Sequence, residues 1–137
     1  MQKLIERLRR RRGARGAALV EMAIALLVLI PLTFGLLEFG WIMYKLSQVN
    51  LAARNGVRVA VRPAATTTEV TDAVDAIMTS AGINKTDYSV AISGLSSAVG
   101  SPVNVHVDLD YSKIELIGLV PTPETLPGDA TMAKEGP

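Results

Sequence analysis

The chain has 137 residues and no cysteine, with one histidine and a formal net charge of +1. That length holds one small domain plus an anchor, and the missing cysteines exclude thiol catalysis, zinc–thiolate sites and disulfides. The charge is uneven: seven of the 14 Lys and Arg lie in the first 15 residues against Glu6 alone, while the remainder carries 7 basic and 12 acidic side chains. The basic character belongs to one segment, which argues against a nucleic-acid surface.

That segment comprises Lys3, Arg7, Arg9, Arg10, Arg11, Arg12 and Arg15. From Met22 to Leu37 no charged residue occurs, and continuing to Tyr44 adds only Glu38. A bilayer-spanning helix needs about 20 apolar residues, which Met22 to Ile42 supplies. At about 1.5 Å of rise per residue, Glu21 and Glu38 lie roughly 25 Å apart along the axis. Each glutamate is therefore expected near one edge of the hydrocarbon, where its burial costs less. Phe39, Trp41 and Tyr44 follow where an interfacial aromatic belt belongs.

Positive residues flanking a first span stay in the cytoplasm, so the C-terminal two-thirds is expected outside it. Pro31 removes a backbone donor in mid-span and is expected to kink or loosen the helix. Gly35 and Gly40 leave notches for a neighbouring helix. A secretory signal peptide fits less well than an anchor. The apolar run is long and no small-x-small cleavage pattern follows it.

The helix is expected to continue past the membrane. Leu46, Val49, Ala53, Gly56, Val57 and Ala60 recur at three- and four-residue steps, with polar Lys45, Gln48, Asn50, Arg54 and Arg58 elsewhere. Arg62-Pro63 is its expected end, although Val57 to Arg62 also alternates as a strand would. Thr66, Thr67 and Thr68 before Glu69 resemble a helix start, with Thr68 as the expected N-cap. Val70, Val74, Ile77 and Met78 form the apolar stripe, and Gly82 closes the helix.

Tyr88 to Ser93 reads as a strand. Pro102 to Tyr111 alternates more cleanly, with Val103, Val105, Val107, Leu109 and Tyr111 on one face. Ser96 to Ser101 fits a hairpin loop. A proline-rich connector from Pro121 to Pro127 leads to a third strand, Leu126 to Ala133. The sum is an α+β fold: a long N-terminal helix, one short helix and a small antiparallel sheet. The segments are a leader (1–16), a transmembrane helix (17–44), an amphipathic extension (45–62) and a small extracytoplasmic domain (63–137).

Catalysis has no foothold in this pattern. His106, Asp108 and Asp110 share one strand face, where the solvated side of a half-buried sheet is the plainer reading than a metal site. With a single histidine, neither a two-histidine metal motif nor a triad is supported. No Gly-x-Ser-x-Gly elbow or phosphate loop is present. No metal, cofactor or catalytic residue is therefore expected. Arg54 and Arg58, one turn apart, solvate the helix or dock a partner subunit.

Arg15-Gly16-Ala17-Ala18-Leu19-Val20-Glu21-Met22 resembles the processing site of type IV pilin-like precursors. Gly35-Leu36-Leu37-Glu38-Phe39-Gly40, with Ala52-Ala53-Arg54-Asn55-Gly56-Val57-Arg58 further on, resembles the TadE-like family of minor pilins and pseudopilins of tight-adherence (Flp, type IVc) pili. The end of the chain, Ala130 to Glu135, is loosely similar to that family's closing strand.

The resemblance implies a type IV pilin-like fold in the bacterial inner membrane. It implies cleavage by a prepilin peptidase between Gly16 and Ala17, and assembly with other pilin subunits on an inner-membrane platform. Glu21, fifth in the product, would pair with the new Ala17 ammonium and register subunits; Glu38 is a further candidate for an assembly contact. Major Flp pilins are much shorter and usually carry tyrosine after that glutamate. Met22 and the sizeable outer domain favour a minor subunit. A filament-forming subunit in an unusual system, or an uncleaved single-pass anchored binding domain, are the alternatives.

Overall fold

The structure, a computed structural model, describes residues 2–116, 118 and 123–136, with side chains from residue 16 onward. The side chains of the basic leader and the start of the connector, Pro121, lie outside the described part. Two compact units are distinguished, Met1–Leu37 and Glu38–Pro137. One helix, α1 (Gln2–Ala60), contributes to both and runs through Pro31.

In the first unit the side chains from residue 16 to Leu37 are exposed, apart from half-buried Gly35. Leu27 is 75% exposed and Leu36 71%, values that water would punish along so long an apolar face. α1 is the one helix among the described residues long and apolar enough to cross a bilayer, with a mean hydropathy of 2.4 over its most apolar window.

The second unit is an α+β domain. After α1 come α2 (Thr67–Ser80), β1 (Tyr88–Ser93), β2 (Pro102–Asp110) and β3 (Thr125–Ala133). The strands form an antiparallel sheet in the order β1-β2-β3. Val90 stands opposite Val107, and Val105 opposite Ala130. Val103, Val105, Val107 and Leu109 of β2 are fully buried. They join Val49, Ala52, Ala53, Val57 and Ala60 of α1 and Val70, Val74 and Met78 of α2 in one core. Burying such side chains stabilises by about 1.5–3 kcal/mol each.

The same burial decides the ambiguous stretch at Val57. Its β-branched residues favour a strand weakly, but Ala53, Val57 and Ala60 all reach the core from one helical face, and packing outweighs propensity. α1 ends at Ala60, two residues before the expected boundary. Its last carbonyl accepts a hydrogen bond from the Lys134 ammonium at 3.2 Å, and the Leu95 carbonyl accepts another at 2.8 Å.

Two glycines let the elements approach. A Cβ on Gly56 would stand 2.7 Å from a methyl of Val74 in α2 and 3.2 Å from one of Val105 in β2. A Cβ on Gly128 of β3 would stand 2.9 Å from the backbone oxygen of Val49 in α1.

Three more boundaries differ from the sequence reading. The N-cap of α2 is Thr66, not Thr68. A reciprocal capping box needs its glutamate three residues on, and Glu69 meets that spacing only from Thr66. At the other end Gly82 takes φ +69, with Ile83 N–H bonded to the Met78 carbonyl and Gly82 N–H to that of Thr79. This is the left-handed closure expected of a glycine there. β2 stops at Asp110, whose carboxylate accepts from Ser112 N–H at 3.0 Å and turns Tyr111–Lys113 into a 3-10 turn. β3 starts one residue early, at Thr125.

Candidate functional site

Gly16 and Ala17 are exposed helical residues, and nothing lies within 4 Å of where a Gly16 side chain would begin. Glu21, one turn beyond Ala17, is exposed among apolar neighbours. Gly40 also has open space around it, while Gly35 is half-buried. Arg54 and Arg58 are exposed on α1.

Glu38 behaves differently from Glu21. Its side chain is fully buried, and the Tyr111 phenol donates a hydrogen bond to its Oε1. The Leu116 N–H approaches the same oxygen at 3.4 Å. One turn on, the Trp41 indole N–H donates to the Ile114 carbonyl at 2.8 Å. These contacts fasten the segment after β2 along α1 at the end of the uncharged run. Burial first, and then the Glu38 carboxylate, push the Tyr111 phenol above its ordinary pKa. Tyr111 therefore stays protonated and remains a donor.

Lys45 was expected among the polar outward side chains but is only 4% exposed. Its ammonium donates to the Ala81 carbonyl at 3.0 Å, closing the C-terminal end of α2 where cations are favoured. It also lies 4.7 Å from the centre of the Trp41 ring. Burial lowers its pKa.

On the outer face of the sheet His106 stands opposite Asp129. Its ring bonds Asp129 at 2.7 Å through Nδ1 and Asp108 at 3.0 Å through Nε2. Asp110 turns instead to Ser112. Asp129, and secondly Asp108, raise the His106 pKa. A second acidic anchor joins α2 to β1, where Asp75 accepts from the Tyr88 phenol at 2.6 Å and pairs with Lys85.

Tyr111, Lys45 and Asp129 are the contacts the sequence reading missed. A tyrosine at the end of a buried strand face needs a partner for its hydroxyl, but nothing local names Glu38 as that partner. Nothing local marks Lys45 or Asp129.

Residues 16–58 match the TadE-like protein family. The TadE-like match begins on the glycine of the candidate junction and takes in Glu21, Gly35, Glu38, Gly40, Arg54 and Arg58. It ends within α1, short of α2 and the sheet. No curated protein and no solved structure matches the chain. Over this segment the chain is similar to a pilus-associated family.

Proposed function

We propose that the chain is a minor pilin or pseudopilin of a tight-adherence pilus, made as a precursor and trimmed after Gly16 by a prepilin peptidase. The observation that carries this reading is the start of the TadE-like match at Gly16, at the mouth of an exposed apolar helix. The arginine-rich leader keeps the N-terminus in the cytoplasm of the inner membrane. The α+β domain then lies on the outer side. Its partners are other pilin subunits and the membrane platform that assembles them.

Cleavage gives the membrane carboxylate a counter-charge. The backbone nitrogen of Ala17 becomes an ammonium one helical turn before Glu21, at the helix N-terminus, where a carboxylate in the first turn is favoured. An ion pair in lipid costs far less than two separate charges. The same two groups can instead pair between neighbouring subunits, which sets their register in the helical bundle.

Glu21→Ala tests this reading. The variant should insert in the membrane at normal levels and be cleaved, yet fail to enter or support the pilus. A variant that supports normal pili removes the role given to Glu21.

A further inference from the structure

We infer that the segment Ser112–Leu116 is a second membrane contact, seated in the headgroup layer of the outer leaflet beside the anchor. This rests on the proposal that α1 spans the bilayer. The occupant of the surface is lipid, and three observations favour it.

The first is height. Ile114 is bonded to Trp41 and Leu116 to Glu38, so the segment runs alongside α1 at the end of the uncharged stretch. Trp41 and Glu38 are three residues apart, about 4.5 Å of helix rise. The segment descends by that amount toward the apolar run.

The second is exposure. Leu116 is 50% exposed, beside a helix that leaves Phe39 58% and Tyr44 48% exposed. An exposed leucine on a segment bonded to α1 at the end of a span, where exposed aromatics also gather, suits lipid better than water.

The third is charge. Lys113 and Glu115 flank Ile114 and are both exposed. Neither is compatible with the hydrocarbon core, so the contact goes no deeper than the headgroups. The buried Tyr111–Glu38 bond holds this segment on α1. Glu38 is thereby shielded by protein at the height where a lone carboxylate would face lipid.

The natural chain lacks cysteine, so single labels are clean. The full chain is reconstituted in phosphatidylethanolamine–phosphatidylglycerol vesicles with an environment-sensitive fluorophore at Leu116→Cys, Leu29→Cys or Thr131→Cys. Spin-labelled lipids quench either at the headgroup or deep in the acyl chain.

The label at 116 should lose most of its fluorescence to the headgroup quencher and little to the deep one. The label at 29 should show the reverse, and that at 131 should respond to neither. If 116 behaves like 131 while 29 is quenched, the second contact is overturned and the anchor stands. If 29 is not quenched by the deep lipid, the spanning helix itself is wrong and this inference falls with it.

Discussion

The Tyr111 phenol reaches the Glu38 carboxylate across 73 residues of chain and closes over it in the interior of the domain. The residue that looked like a membrane-edge charge is therefore an internal acceptor. Tyr111→Phe removes one donor from a buried carboxylate and should destabilise the domain by about 1–3 kcal/mol. Urea unfolding followed by the single tryptophan, Trp41, measures this. In a cycle with Glu38→Met, which removes the acceptor, the two changes should couple by about 0.5–3 kcal/mol, because they share one hydrogen bond. Additive effects would mean the bond contributes nothing.

Gly128→Ala should be more damaging than Gly56→Ala. At Gly128 the new methyl meets the Val49 backbone, which cannot rotate away, and overpacking of that kind costs about 1–3 kcal/mol. At Gly56 it meets valine methyls, and alanine in a helix regains about 0.5–1 kcal/mol over glycine. Paired unfolding curves rank them; equal losses would contradict the close approach of β3 to α1.

His106 makes stability depend on pH in a defined direction. Asp129 and then Asp108 raise its pKa above the ordinary value of 6.5, so the protonated ring favours the folded domain. That contribution is complete below 6.5 and is lost as pH rises through the higher folded-state pKa. The group is partly exposed, so the effect is small. His106→Gln should flatten the stability profile across this window, and the ring proton resonances should titrate above 6.5. A midpoint below 6.5 would show that the aspartates do not hold the ring.

Much of the fold was legible because it is written in local spacing. The β1 boundaries, the valine face of β2 and the stripe of α2 follow from period and punctuation. The apolar run and the Gly16–Glu21 interval were equally visible. The buried fates of Glu38 and Lys45 were not. A charge in sequence signals exposure, and both are reversed by partners (Tyr111 and Ala81) that only the tertiary fold brings near. The misplaced cap had a local cause: three threonines compete, and only reciprocal spacing to Glu69 selects Thr66.

The most direct measurement is the intact mass of the chain extracted from membranes of cells that contain the prepilin peptidase, beside cells that lack it. The account requires a product beginning at Ala17, lighter by residues 1–16, only where the peptidase is present. A chain that keeps its arginine-rich leader in both would contradict it and leave an uncleaved anchored domain.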